Sequence, residues 1–197
     1  MNAIRDSITS VILAGGRSSR MQTDKAQLVW RGRTFIEHLI DQLQAQTTSV
    51  AINCNDGEAH RKLGLPLLSD PFPDRRGPLA GILAGLTFSN TPLTLFVPCD
   101  NPLLVPDLAS RLHDIMQRND VDIVYARSGG DNHYLYGLMQ TRLRPHLEQH
   151  LEHGDYAVHR WYDTQRCYAV SFDDQPDHFI NINSPDDLQR LFTLGPK

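Results

Sequence analysis

A chain of 197 residues, 40% hydrophobic and 21% charged, is long and apolar enough for one sizeable core. Lys plus Arg number 19 against 23 Asp plus Glu, a formal net charge of −4, which argues against a general nucleic-acid binder. The three cysteines, Cys54, Cys99 and Cys167, are far apart and lack CxxC spacing, which disfavours structural zinc or a disulfide framework and fits a reducing cytoplasm.

No apolar run approaches a membrane span, and MNAIRDSITS lacks the apolar core of a signal peptide, so the expectation is a cytoplasmic protein with no membrane partner. Ile8 to Ala14 predicts a first strand that ends at Gly15-Gly16 and is followed by Arg17, Arg20 and Lys25. Thr34 to Gln44 places Phe35, Ile36, Leu39, Ile40 and Leu43 on one helical face. Ser49 to Asn53 and Leu65 to Leu68 predict short strands, the second closed by Ser69-Asp70-Pro71. After Gly77-Pro78, apolar residues recur at helical spacing from Leu79 to Leu86, and Leu93 to Val97 is a continuous apolar strand running into Pro98-Cys99-Asp100.

Further on, Leu108 to Met116 predicts an amphipathic helix. Val121 to Ala126 and Tyr134 to Met139 predict strands, and Arg142 to His153 a helix. Cys167 to Phe172 and Phe179 to Ile182 predict short late strands. The last helix opens on Ser184-Pro185-Asp186-Asp187, a capping hydroxyl followed by proline and acids at the positive end of the helix dipole.

Alternating strands and helices predict an α/β three-layer fold around a mostly parallel sheet. Ligands of such sheets bind beyond the carboxyl ends of the strands. Gly15, Asn53, Asp70 and Asp100 each stand at or just after such an end, and are therefore expected to converge on one edge.

Each of these residues has two readings. Gly15-Gly16 makes a tight turn, or brings backbone N–H groups up to phosphate oxygens with Arg17, Arg20 and Lys25 neutralising them. The loop is neither a Walker A sequence nor GxGxxG. Lys25 is a solvated surface charge or a phosphate ligand. Asp100 is a turn residue or a carboxylate ligand for a hard cation such as Mg²⁺, and Asp70 and Asn53 carry the same pair of readings. Gly81 and Gly85, four apart inside a helix, serve close packing on the sheet, or a nucleobase lies against the Gly77 to Gly81 backbone. The nine histidines show no metal-ligand spacing.

In order and spacing, these motifs resemble the molybdenum cofactor guanylyltransferases, a branch of the nucleotidyltransferases with a Rossmann-like, nucleotide-diphospho-sugar-transferase-like fold. The markers run from Val11 to about Leu191: LAGG at Leu13 to Gly16, Arg20-Met21, Asp24-Lys25, Asn53 to Asn55, Asp70, GPLAG at Gly77 to Gly81, PCDNP at Pro98 to Pro102 and NINSPDDL at Asn181 to Leu188. The resemblance implies one domain over 1–197, with a nucleotide-binding half at about 8–105 and a pterin-substrate half at about 106–192. It implies that GMP passes from GTP to the molybdenum–molybdopterin cofactor, with Mg²⁺ as cofactor and pyrophosphate released.

By the same resemblance Leu13, Ala14, Gly15, Gly16, Arg17, Lys25, Asn53, Asp70, Gly77, Pro78, Leu79 and Asp100 bind the nucleotide. Lys25, Asp100 and Arg20 are the catalytic set, Asp100 the metal ligand, and Asn181 and Asn183 meet the pterin. Cofactor-synthesis proteins and acceptor molybdoenzymes or their chaperones are implied as partners. Gln22 departs from the family's usual glycine after Arg-Met, which would cost about 1 kcal/mol if that position needs positive φ. The rival readings are a CTP-dependent cytidylyltransferase on the same cofactor, against which LAGG and GPLAG stand intact, and a non-catalytic nucleotide or cofactor binder of this fold.

Overall fold

The structure, a computed structural model, describes residues 3–15, 25–55, 57–72, 77–182 and 184–194. The strands are β1 Ile8–Leu13, β2 Val29–Trp30, β3 Arg33–Thr34, β4 Ser49–Asn53, β5 Leu67–Leu68, β6 Leu93–Pro98, β7 Ile123–Ser128, β8 Asp131–Gln140 and β9 Cys167–Ser171. The helices are α1 Ala3–Asp6, α2 Phe35–Gln46, α3 Pro78–Phe88, α4 Leu108–Asn119, α5 Arg144–Glu152, α6 Val158–Tyr162 and α7 Pro185–Leu194.

Among the described residues the central sheet has the order β5-β4-β1-β6-β8-β7-β9, and β2 and β3 form a separate hairpin. β5, β4, β1 and β6 run parallel to one another, β8 runs antiparallel to both its neighbours, and β9 is parallel to β7. The mostly parallel sheet expected from the alternation of elements is present.

All six residues of β1 and of β6 are buried, because helices cover both faces of the sheet. On one face Ile8 and Ile12 pack with Ile36, Leu39 and Leu43 of α2 and Leu108, Leu112 and Met116 of α4. On the other, Val11 and Leu13 pack with Leu79, Ile82 and Leu83 of α3, Leu147 of α5 and Trp161 of α6. Polar side chains inside β1 are satisfied: Ser10 shares a hydrogen bond with Thr47 at 2.8 Å, and Thr91 donates to Thr9 at 2.9 Å.

Local sequence sets the helix ends. The Thr34 hydroxyl accepts from Glu37 N, and the Glu37 carboxylate accepts from Thr34 N at 2.8 Å, a reciprocal capping box that starts α2. Ser184 and Asp187 make the same exchange at α7. α7 then places Leu191 against Trp30, Phe35 and Ile182, closing a small third cluster over the β2–β3 hairpin.

One expected element does not form, and α1, the β2–β3 hairpin and α6 were not expected. Phe179 to Ile182 is not a strand: Phe179 ends a 3₁₀ turn, Pro176–Phe179, and the residues after it run irregularly. Their backbone bonds go to the loop after β6 instead. Ile182 N donates to Asp100 O at 3.0 Å, and the Asn101 side-chain amide donates to His178 O at 3.0 Å. The bond from Ile182 N to Asp100 O, with His178 O tied to Asn101 just before the segment, outweighs the strand preference of Phe179, Ile180 and Ile182.

Candidate active site

Because β5, β4, β1 and β6 are parallel neighbours, the residues at their carboxyl ends form a row: Asp70, Asn53, Gly15, Asp100. The convergence expected from strand order is what the sheet builds. β8 is antiparallel, so its opening residues, Asp131 to Tyr136, reach the same edge on the far side of Asp100.

At the β4–β5 end the row is cross-linked. The buried Asn53 amide donates to Leu68 O at 3.1 Å and to Asp70 Oδ1 at 3.0 Å. The Asn55 amide donates to Asp70 Oδ2 at 2.7 Å, and Asp70 N donates back to Asn55 Oδ1 at 3.1 Å. Two amides thus hold one carboxylate in a fixed orientation, and its outer lone pairs stay available to a donor on a ligand. The sequence reading singled out Asp70 and Asn53, and Asn55 only as part of the Asn53 to Asn55 marker. The hydrogen bonds make the three a unit.

Leu13, Ala14 and Leu79 have buried side chains, and Ala14 N–H is already given to Asn53 O at 2.8 Å. Their side chains belong to the core, and only the remaining backbone is left to face the edge. Gly15 is exposed, and a Cβ added there would meet Asn53 Oδ1 at 3.4 Å, an ordinary contact, with no positive φ. The conformation of Gly15 itself therefore does not require glycine, and the other half of the Gly15-Gly16 turn lies outside the described residues.

Gly77 is different. It precedes α3 with φ of 66°, a left-handed value that a side chain disfavours, and Pro78 follows as the first residue of the helix. Gly81 resolves in favour of packing: a Cβ would overlap Asn53 Oδ1 and stand 3.0 Å from Asn53 Cγ and Leu13 Cδ2. The bare backbone of α3 at Gly81 is occupied by the Asn53 side chain.

Gly16, Arg17, Arg20, Gln22 and Asn183 lie outside the described residues. Lys25 opens a 3₁₀ turn, Lys25–Gln27, that leads into β2. Asp100 borders a cleft of about 250 Å³ whose wall includes Pro78 and Asn181. The 176–182 segment, docked on Asp100 and Asn101 as described above, carries Asn181 to this place. The opposite wall is β8, with His133 and Tyr136. Neither residue was singled out from sequence. Burial pushes the His133 imidazole down, favouring its neutral form, and burial pushes the Tyr136 hydroxyl up, with the nearby Asp100 charge adding to the effect.

A family model described as the MobA-like NTP transferase domain matches residues 10–168. The chain belongs to this family. It is a nucleotidyltransferase. A molybdenum cofactor guanylyltransferase of Vibrio cholerae is 37% identical over 187 residues, covering 94% of this chain and 92% of the relative. One from a Shewanella strain is 36% identical over 186 residues, covering 93% and 94%. The resemblance drawn from the LAGG, GPLAG and PCDNP motifs is therefore borne out. The crystal structure of molybdopterin-guanine dinucleotide biosynthesis protein A from Archaeoglobus fulgidus superposes with a TM-score of 0.78 at 20% identity, covering 94% of this chain and 97% of that one. That likeness speaks to the fold, a nucleotidyltransferase sheet with its row of strand ends. Among the described residues no helix of this transferase is long and apolar enough to cross a membrane.

Proposed function

We propose that this nucleotidyltransferase moves GMP from GTP to the phosphate of the molybdenum–molybdopterin cofactor in the cytoplasm, with Mg²⁺. The observation that carries the reading is the single row Asp70–Asn53–Gly15–Asp100, in a chain whose relatives are named molybdenum cofactor guanylyltransferases.

In this reading an oxygen of the acceptor phosphate attacks the α-phosphorus of GTP. The new P–O bond forms as the bond from the α-phosphorus to the bridging oxygen of the β-phosphate breaks, and pyrophosphate leaves with that electron pair. The acceptor phosphate is ionised at neutral pH, so no side-chain nucleophile and no general base is needed. The work left to the protein is to align two anions that repel each other and to stabilise charge on the leaving group. Gly15 and Gly16 offer backbone N–H groups, and Arg17, Arg20 and Lys25 offer positive charge, to the triphosphate. The Asn-clamped Asp70 accepts from the nucleoside, whose ribose hydroxyls and guanine N–H groups are donors.

A carboxylate at a strand end is the hard oxygen donor Mg²⁺ takes, and Mg²⁺ is commonly held by one or two carboxylates with substrate phosphates and water completing its shell. Asp100 fits that role. Bound there, Mg²⁺ supplies charge neutralisation for the phosphates.

The test is incubation with each of GTP, CTP, ATP and UTP, plus Mg²⁺ and the molybdenum–molybdopterin cofactor, measuring pyrophosphate. GTP is expected to support release and CTP far less. Equal or better turnover with CTP would sink the guanylyl assignment in favour of the cytidylyl one, and no turnover with any would favour a binder.

A further inference from the structure

The cleft beside Asp100 exists because β8 leaves its ladders there. Its last pair with β6 is Phe96 opposite Gly137. Against β7, Gly137 faces Tyr125 and the next pair is His133 with Ala126, so Tyr134 to Tyr136 bulge out unopposed. The sheet opens between that bulge and Pro98–Asp100, on the opposite side of Asp100 from Gly15, Asn53 and Asp70.

Tyr136 lines this opening and is only 2% exposed, yet its hydroxyl has no hydrogen-bond partner among the described residues. A buried hydroxyl left unsatisfied costs about 1–3 kcal/mol, so the fold carries a cost at this position that a bound ligand would remove. The ring is fixed around it: Tyr136 meets Phe179 at 5.1 Å and 71°, and His133 lies against Phe179 at 4.9 Å and 33°. Tyr134 and Val158 add apolar wall, and the Asn181 amide stands at the rim. A cleft of about 250 Å³ is below the roughly 300–1,000 Å³ of sites for drug-sized ligands, so it suits one flat ring system rather than a whole nucleotide. Aromatic walls with an orphan hydroxyl call for a planar heterocycle whose edge carries both donors and acceptors.

We propose that the Tyr136 hydroxyl is a specificity-determining group for the acceptor substrate, hydrogen-bonding the heteroatom edge of its pterin ring in this cleft. The inference rests on the guanylyltransferase reading above for the identity of the acceptor. It divides the edge at Asp100: nucleotide toward β1, β4 and β5, acceptor ring toward β8. Because the hydroxyl stays protonated it can both donate and accept, as an amide-like pterin edge requires.

The test is Tyr136→Phe, which keeps the ring and removes only the hydroxyl. Three readouts are compared with the wild-type chain: KM for the cofactor and for GTP, Kd for 6-hydroxymethylpterin monophosphate followed by its own fluorescence, and Tm of the ligand-free protein. The pterin Kd and the cofactor KM are expected to rise about tenfold, equal to about 1.4 kcal/mol, while the GTP KM stays within about twofold. The ligand-free Tm is expected to hold or rise, because the orphan hydroxyl has gone. A purely structural role would lower Tm and move both KM values together, and that result overturns the proposal. An unchanged pterin Kd in the variant, or no pterin binding by the wild-type chain, also overturns it. Wild-type chain that binds the pterin but turns over no GTP refutes the proposed reaction instead, and the Kd arm still decides the role of Tyr136.

Discussion

Gly81→Ala sets two effects of known size against each other. At a solvated position inside a helix, alanine in place of glycine stabilises by about 1 kcal/mol. Here the added Cβ would overlap Asn53 Oδ1 and stand 3.0 Å from both Asn53 Cγ and Leu13 Cδ2. Asn53 has no room to give, being 2% exposed and held by its amide to Leu68 O and Asp70. Overpacking of this kind costs about 1–3 kcal/mol, and bending two hydrogen bonds adds about 0.5–1.5 kcal/mol each. The clash wins, for a net loss of about 1–5 kcal/mol. At about 2–4 °C per kcal/mol for a domain of this size, Tm should fall by several degrees in a thermal melt. Gly85→Ala is the control: its Cβ would meet the Phe96 ring at 2.5 Å and Val11 Cγ2 at 3.0 Å, away from the Asn53–Asp70 pair. Both variants should lose stability, but only Gly81→Ala should also raise the KM for GTP, by displacing Asn53. A Gly81→Ala protein more stable than wild type by about 1 kcal/mol would refute the packing argument outright.

Asp100→Ala should fold normally yet lose Mg²⁺-dependent pyrophosphate release by at least about a hundredfold, or about 2.7 kcal/mol of barrier; near-normal activity would return Asp100 to a turn residue. Lys25→Ala should cut turnover while leaving stability within about 0.5 kcal/mol. Arg33→Ala should leave turnover unchanged, because Arg33 pairs with Asp41 on the surface and such exposed pairs contribute at most about 1 kcal/mol. Equal and near-wild-type turnover in both would end the phosphate role of the loop. Asp122, which accepts from Arg166 at 2.9 Å and from Arg142, has a carboxyl held below its usual range, first by the Arg166 hydrogen bond. Its unfolded-state pKa is about 3.9, so its contribution is present above that pH and lost as pH falls through the lower folded value. Asp122→Asn should therefore lower stability at pH 7 and flatten the acid decline below about pH 5, as read by urea midpoints.

Much of this protein is determined locally. The alternation of short, mostly apolar strands such as β1 and β6 with amphipathic helices declares a parallel sheet buried on both faces, and the cap pairs Thr34–Glu37 and Ser184–Asp187 mark helix starts from residues three apart. Parallel strands share an edge, so noting Gly15, Asn53, Asp70 and Asp100 after strand ends was enough to predict their meeting. Direction and partnership needed the tertiary structure. The period-2 pattern of a strand is the same read forward or backward, so nothing local in β8 says that it runs antiparallel and brings His133 and Tyr136 to the same edge. Glycine at position 81 is compatible locally with a packing contact or an exposed groove, and only the approach of Asn53 selects between them. The Phe179 to Ile182 run has strand propensity, but Ile182 N is taken by Asp100 O and the preceding His178 O by Asn101, from a loop far earlier in the chain. Propensity is a property of neighbours along the chain, whereas a hydrogen-bond partner or a steric clash is set by whatever the folded chain brings within a few ångströms.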